Sequence, residues 1–409
     1  MARAITDPER ISELLERGVE QVYPSRELLT KKLMSGDRIR LYCGFDPSAT
    51  SLHIGNAISL KKLGEFQKLG HEVIFLIGDF TGMIGDPTDK SAARKQLTRA
   101  EVLHNAKNYK KQASAYLNFS GQNAAKIKYN SRWNDKLKFA DLIKLASNFT
   151  VQYMIQRDMF QERLKEERPI YLHEFFYPLT QGYDSVAMDV DMEVGGNDQM
   201  FNMMCGRDLL KALKGKEKFV LTMKLLADET GKKMGKSEGN VINLDETPDN
   251  MYGIVMSWPD GILSSAFELC TNLELKEVKK IQADIKSGQA NPRDLKMRLA
   301  LEITKINHGE AKAQAAQEHF IKTVQNKEMP DEIPTYHAKA NQMNVLDLLV
   351  ASKLTASKGE AKRLIEQSGI KMKTQTTDFE VINSPSLEIN LQTEIILQRG
   401  KRQFVKVIK

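Results

Sequence analysis

Residues 42–56 read Tyr-Cys-Gly-Phe-Asp-Pro-Ser-Ala-Thr-Ser-Leu-His-Ile-Gly-Asn. The apolar run from Ile39 to Phe45 predicts a short buried strand, and Asp46-Pro47-Ser48 ends it. From His53 onward, Ile54, Ile58, Leu63 and Phe66 recur at helical spacing. A strand that feeds a polar turn and then a helix puts the helix's N-terminal amides where a phosphate can bind. His53 and Asn56 stand at i and i+3, so both leave the first helical turn on one side. Gly55 between them has no side chain to keep a flat ligand off the backbone. Taken alone, the stretch also fits an ordinary strand, loop and helix with one satisfied histidine.

The surrounding chain narrows the choice. Its 409 residues have room for two or three domains with a substantial core. With 41% hydrophobic and 28% charged residues it reads as a globular protein. A net charge of +7 leans weakly toward a polyanionic partner. Cys43, Cys205 and Cys270 are far apart and form no C-x-x-C pair, which argues against a zinc knuckle or a disulfide framework and favours a reducing cytoplasm. The N-terminus opens with charge and lacks the apolar core of a signal peptide. The longest apolar run, Val73–Ile77, is too short to span a bilayer. A cytoplasmic protein with no membrane partner is expected.

Before the opening stretch, residues 9–34 carry leucines and isoleucines at helical spacing, with Pro24 dividing two helices. After it, a helix over 56–69 ends at Gly70 and a second buried strand, Glu72–Gly78, follows. Strand, helix and strand in about forty residues predict a parallel βαβ unit. The turn-rich segment 79–94 sits past a strand end, where open α/β sheets bind ligands. There Asp86 could receive an ammonium group, and Lys90 and Arg94 could reach phosphates. A solvated loop with incidental charges fits that segment equally. A helix over 99–118, a strand over 126–130 and helices near 138–165 come next.

In 172–188, Tyr177, Gln181 and Asp184 line one helical stripe at i, i+4 and i+7. Such polar groups in an apolar setting need partners, from a ligand or from the protein itself. A strand over 191–194 leads to a second glycine turn, Gly195-Gly196-Asn197-Asp198-Gln199. Arg207, Lys211 and Lys214 share a helix face, either facing solvent or touching phosphate. A further strand, Phe219–Met223, feeds a basic glycine-rich loop at 228–240. That loop falls one residue short of a Walker A spacing, yet Lys233 and Lys236 can serve a polyphosphate as point charges. Residues 248–319 are patterned as helix, and 330–340 read as a linker.

The last segment, 342–409, changes character. It holds eleven basic and seven acidic residues, so it carries +4 of the chain's +7. Ser357 to Glu360 forms a capping box that opens a helix bearing Lys358, Lys362 and Arg363. A second cluster, Arg399, Lys401 and Arg402, follows near the end. A small helix and sheet module could present both clusters to a phosphate backbone.

Together, His53-Ile-Gly-Asn56 and Lys233-Met-Gly-Lys-Ser237 resemble the HIGH and KMSKS signatures of class I aminoacyl-tRNA synthetases. Residues 42–47, 81–87, 181–184 and 195–199 narrow the resemblance to the tyrosyl-tRNA synthetase family, and the tail resembles its S-four-like RNA-binding domain. The resemblance covers essentially the whole chain. It implies a Rossmann-type α/β catalytic domain over 1–240 with a helical insertion at about 104–190. A helical domain over 241–330, a linker over 331–341 and a small α+β RNA-binding domain over 342–409 would follow. A tryptophan enzyme of the same class and a non-catalytic nucleotide- and RNA-binding relative are the alternatives.

Residue roles follow from the same resemblance. His53, Asn56, Lys90, Arg94, Lys233 and Lys236 would act in catalysis. Tyr42, Asp86, Tyr177, Gln181 and Asp184 would hold L-tyrosine, with Tyr42 and Asp184 gripping its phenol. Gly44, Asp46, Ser48, His53, Gly55, Asn56, Gly196, Asp198, Gln199 and Lys236 would line the ATP site. The basic groups Arg207, Lys211, Lys214, Lys358, Lys362, Arg363, Arg399, Lys401 and Arg402 would meet tRNA(Tyr). ATP is then a substrate, Mg2+ comes with it without a dedicated protein site, and a homodimer forms through residues around 110–190. The chain departs from the signatures at Asn56, in place of histidine, and at Gly235, in place of serine. Glu193 stands where other bacterial members carry glutamine.

Overall fold

The computed structural model describes residues 3–87, 96–228, 241–325, 333–338, 340–374, 377–400 and 403–409. They fall into two compact units, Met1–Ala313 and Gln314–Lys409.

The first unit is built on a six-stranded sheet. Its strands are β1 (Val19–Tyr23), β2 (Arg40–Phe45), β3 (Glu72–Ile77), β4 (Lys126–Tyr129), β5 (Met192–Gly196) and β6 (Phe219–Met223), in the order β1-β6-β5-β2-β3-β4. All neighbours run parallel except β1, which lies antiparallel to β6. Central strands covered on both faces need continuous apolar sequence, and β3 supplies it as Val73 through Ile77, all buried. The helix Ile54–Lys68 crosses from β2 to β3, as the apolar spacing of that stretch predicts. From β2 the sheet grows one way to β3 and β4, and on its other side to β5 and β6. The order therefore reverses between β2 and β5, and the crevice beyond their C-terminal ends is the natural ligand site.

Helices after this sheet complete the unit. Thr247 and Asn291 cap the helices Pro248–Met256 and Pro292–His308, each with proline in its first turn, where the missing N–H costs nothing. Trp258, Tyr252 and Phe267 form the buried aromatic centre of this part.

The second unit has a five-stranded sheet in the order β10-β9-β12-β13-β7 and a β11-β8 pair. Its strands are β7 (Thr335–His337), β8 (Gln342–Asn344), β9 (Ile370–Thr374), β10 (Glu380–Val381), β11 (Glu388–Asn390), β12 (Ile395–Arg399) and β13 (Gln403–Ile408). Two helices, Val345–Ala351 and Lys358–Glu366, share its core of Leu348, Leu349, Ala361, Ile365, Leu397 and Val407.

Three local readings change. Residues 9–34 hold a strand, β1, between the helices Pro8–Glu16 and Arg26–Met34, because the edge of β6 offers Val19–Tyr23 a ladder that helical spacing cannot reveal. Residues 99–118 break into Arg99–Ala106 and Tyr109–Ala113. Part of the expected linker, Thr335–His337, pairs in parallel with Lys406–Ile408 and so belongs to the sheet.

Candidate active site

Asp46 follows directly on the end of β2 and organises the crevice. Its Oδ1 accepts the Thr81 hydroxyl at 2.6 Å and its Oδ2 accepts the Tyr177 hydroxyl at 2.9 Å. Gly78 makes this possible, since a Cβ there would lie 1.8 Å from Asp46 Oδ1. Loss of solvent, with Asp86 and Asp79 nearby, pushes the Asp46 carboxyl up to about 7.

The stripe expected on 172–188 is present in the helix Phe176–Met188. Tyr177 and Asp184 are buried and Gln181 is half-buried. Asp184 Oδ1 accepts Trp133 Nε1–H at 2.7 Å and Asn134 Nδ2–H at 3.2 Å, and its Oδ2 accepts Asn130 Nδ2–H at 3.1 Å. Burial raises the Asp184 pKa well above the usual carboxylate value, and these donors oppose it. Tyr42, fully buried on β2, shares a 2.9 Å hydrogen bond with Ser185, the next residue of the helix. Gln181 Nε2 donates to Glu193 Oε1 on β5 at 3.1 Å. This helix lies close to Met200–Lys214, since a Cβ on Gly182 would come within 3.2 Å of the Cys205 and Gly206 backbone. The sequence shows the stripe but not its partners. Trp133, Asn130 and Asn134 come from a strand end and a connection in which no site residue is expected, and Ser185 lies within the stripe without being singled out.

Asp86 is held by Gln199 Nε2 at 2.6 Å and lies 3.6 Å from Arg157 Nη2. Arg157 is a buried cation, with its guanidinium 5.0 Å from the Phe201 ring centre and 5.7 Å from that of Phe160. Nothing in the sequence separates it from the surface arginines around it.

Beyond the other side of β2's C-terminal turn, His53 is the N-cap of the helix Ile54–Lys68. Its Nδ1 accepts the Asn56 N–H at 3.3 Å, and Asn56 Oδ1 accepts the His53 N–H at 2.9 Å. The first signature is thus a reciprocal capping box. With Nδ1 accepting, the ring proton of the neutral histidine sits on Nε2. The oxygen of the Asn56 amide is committed to the cap, so its NH2 is the end suited to a ligand. Gly55 is exposed between them. Residues 242–244 run antiparallel to this corner, with Ile54 N–H donating to Ile242 O at 2.9 Å and Leu244 N–H to Leu52 O at 2.8 Å. Gly44 and Ser48 are exposed near the end of β2. Gly196 ends β5, and Asp198 and Gln199 lie in the short turn after it. Lys90, Arg94, Lys233 and Lys236 fall outside the described residues.

The basic groups differ in their commitments. Arg207 and Lys211 both pair with Glu217, at 2.7 and 2.6 Å, and Lys214 lies 3.7 Å from Asp189. In the second unit Lys362 and Arg363 are exposed, and Lys358 pairs with Asp347 at 2.5 Å. Arg399 works inside that module, donating to Leu354 O and Glu360 Oε1, both at 2.7 Å. Ser357 accepts the Glu360 N–H at 3.3 Å, while Glu360 reaches back to the Ala356 N–H, so the cap closes one residue earlier than expected. Lys401 and Arg402 fall outside the described residues. No helix among the described residues is long and apolar enough to cross a membrane.

Comparison with known proteins shows which family has this sequence and fold. Residues 34–325 match the family described as tRNA synthetases class I (W and Y), and residues 325–407 match the tyrosine–tRNA ligase SYY-like C-terminal domain. The chain is 42% identical to the tyrosine–tRNA ligase of Moorella thermoacetica over 96% of its length and 94% of that protein. It is 41% identical to the Thermotoga maritima tyrosine–tRNA ligase over 98% of both. The tyrosyl-tRNA synthetase of Archaeoglobus fulgidus, solved with L-tyrosine, shares the fold at a TM-score of 0.60 and 22% identity, covering 76% of this chain and all of that one. The chain belongs to the class I aminoacyl-tRNA synthetases, in the family of the tyrosine–tRNA ligases.

Proposed function

We propose that the chain is an ATP-dependent tyrosine–tRNA ligase that works in the cytoplasm. The observation that carries this reading is the buried polar end of the crevice, where Tyr42 and Asp184 are set by protein partners before any substrate arrives. A phenol hydroxyl can use the hydrogen-bonding capacity that their protein partners leave over, and an indole or a phenyl ring leaves that capacity desolvated and unmet.

In the first step a carboxylate oxygen of tyrosine attacks the α-phosphorus of ATP in line. The bond to the α,β-bridging oxygen breaks, and pyrophosphate leaves. A hydroxyl of the terminal ribose of tRNA(Tyr) then attacks the carbonyl carbon of the adenylate, and AMP leaves. Both steps need alignment and charge stabilisation more than proton transfer. Tyr177, Gln181 and Asp86 take the ammonium of tyrosine. Gly44, Asp46, Ser48, Gly55, Gly196, Asp198 and Gln199 hold the nucleotide. His53 and Asn56 contact its phosphates, and Lys90, Arg94, Lys233 and Lys236 offset the charge that develops on pyrophosphate. Mg2+ would come with ATP, without a dedicated protein site, and would supply charge neutralisation at its phosphates.

Two partners complete the reading. Lys358, Lys362 and Arg363 meet the tRNA backbone, with Arg207, Lys211, Lys214, Lys401 and Arg402 as further contacts. A second copy of the chain covers apolar side chains exposed between residues 139 and 172. Phe139 is 78% exposed, and Val151 and Leu172 are each 71% exposed, far more than large apolar groups on a solitary chain need be. Phe139→Glu should shift the sedimentation of the protein to that of a monomer.

The deciding experiment is ATP–pyrophosphate exchange with each amino acid in turn. Exchange with tyrosine alone is expected. Exchange with tryptophan, or with none, would overturn the reading.

A further inference from the structure

Behind Tyr42 lies a buried charged cluster that the reaction does not use. Lys218 precedes β6 and is fully buried, and its Nζ pairs with Glu193 Oε2 on β5, itself 2% exposed. The same Nζ donates to Ser185 Oγ at 2.8 Å, and Ser185 Oγ lies 2.9 Å from the Tyr42 hydroxyl. Gly206 on the neighbouring helix leaves the space for it, since a Cβ there would sit 2.6 Å from Lys218 Nζ and 2.8 Å from Ser185 Oγ.

The inventory of donors and acceptors gives this cluster a direction. An ammonium only donates, so one lone pair of Ser185 Oγ is taken by Lys218. The Ser185 proton has two destinations, Tyr42 at 2.9 Å and Glu193 Oε2 at 3.4 Å. Both Glu193 oxygens already accept a donor, Oε2 from Lys218 and Oε1 from Gln181, and Oε2 lies farther from Ser185 Oγ than the Tyr42 hydroxyl does, so the shorter bond to Tyr42 prevails. Tyr42 then accepts from Ser185 and turns its own O–H away from it. At the opposite end, Asp184 Oδ1 accepts two N–H groups and Oδ2 accepts one, which leaves one lone pair on Oδ2.

We infer that Lys218, through Ser185, is a positioning residue for substrate specificity: it turns the Tyr42 O–H toward the hydroxyl of bound tyrosine, which in turn donates to Asp184. The relay runs one way, from a group that can only donate to a carboxylate with one acceptor site left. A substrate without a hydroxyl breaks it in the middle. The inference rests on the reading of the crevice end as the phenol site, and its test separates the two.

The test is a double-mutant cycle on the full chain, read by ATP–pyrophosphate exchange. Tyr42→Phe is made in the unaltered chain, in Ser185→Ala, and in the charge-free pair Lys218→Met/Glu193→Gln. In the unaltered chain it should raise the KM for tyrosine about tenfold, with kcat and the KM for ATP within twofold. In either altered background its penalty should fall below twofold, and the preference for tyrosine over phenylalanine should drop about tenfold. A penalty of the same size in all backgrounds overturns the relay and leaves the phenol site standing. No penalty in the unaltered chain overturns the phenol site itself. Ser185→Ala is close to isosteric and keeps the ion pair, so the test holds even where the charge-free pair unfolds.

Discussion

The two ends of the crevice are built differently. At the end proposed for the amino acid, Tyr42, Asp184, Ser185, Glu193 and Lys218 are all at most 2% exposed; Tyr42, Ser185, Glu193 and Lys218 are linked by side-chain hydrogen bonds, and Asp184 is held by Trp133, Asn130 and Asn134. At the end proposed for the nucleotide, His53, Asn56, Gly196 and Gln199 are half-buried and Asp198 is exposed, and the histidine and asparagine are fixed by a backbone cap. A rigid, dry end discriminates, because a wrong group leaves desolvated partners unpaired. A half-open end suits a substrate that brings its own charge and must leave as two fragments. Removing a partner at the first end should therefore cost much more than at the second.

Asp184→Ala tests the largest difference. It should lower kcat/KM for tyrosine in exchange by about a thousandfold, about 4 kcal/mol, with the KM for ATP unchanged. An equal loss in the two substrates would erase the distinction between the ends. The helix Lys358–Glu366 of the second unit, proposed to meet tRNA, should resemble the open end. Charge reversal at Lys358, Lys362 and Arg363 should cut tRNA charging about a hundredfold at moderate salt, flatten its salt dependence and leave exchange alone. Asn56→Ala removes one half of a cap and one ligand donor. We expect about tenfold in the KM for ATP and roughly 1 kcal/mol of stability by thermal unfolding, with tyrosine recognition intact.

The smallest effect concerns Asp46, which stands between the ends. Its folded pKa of about 7 lies above that of an unfolded aspartate. The protonated carboxyl is thus favoured on folding, so this contribution to stability is complete below pH 4 and is lost as pH rises through 7. The ionised form is the one that only accepts hydrogen bonds, as the Tyr177 and Thr81 hydroxyls require. The KM for tyrosine should therefore improve a few-fold between pH 6 and 8. Asp46→Asn should abolish that inflection and flatten stability between pH 4 and 7 in urea titrations.

Much of this was readable in the chain because it is local. The strand, turn and helix of 39–69 follow from short-range periodicity, and so does the polar stripe on Phe176–Met188. What escaped reading depends on distant pairing. β1 becomes a strand only because β6, two hundred residues later, offers it an edge. β7 becomes one only through β13. Lys218 before a strand looks like any solvent-facing lysine, and Arg157 like any helix-surface arginine. Their burial is set by Glu193 and by Asp86 with Phe201, which no spacing rule connects to them. Glu193 was visible only as a departure from its relatives, without the lysine that explains it.

Gly206 constrains how this protein can change by mutation. Any side chain at that position meets Lys218 Nζ and Ser185 Oγ. Glutamine at Glu193 alone would leave a lysine buried without its counter-charge, a loss of several kcal/mol. Removing one of the two charges or filling the space at Gly206 therefore crosses a valley of instability, although a joint replacement of both charges is tolerable. Lineages should pass the cluster on as a block. Glutamate at 193 should be inherited together with lysine at 218 and glycine at 206, and lineages with glutamine at the first site should be free to vary at the other two.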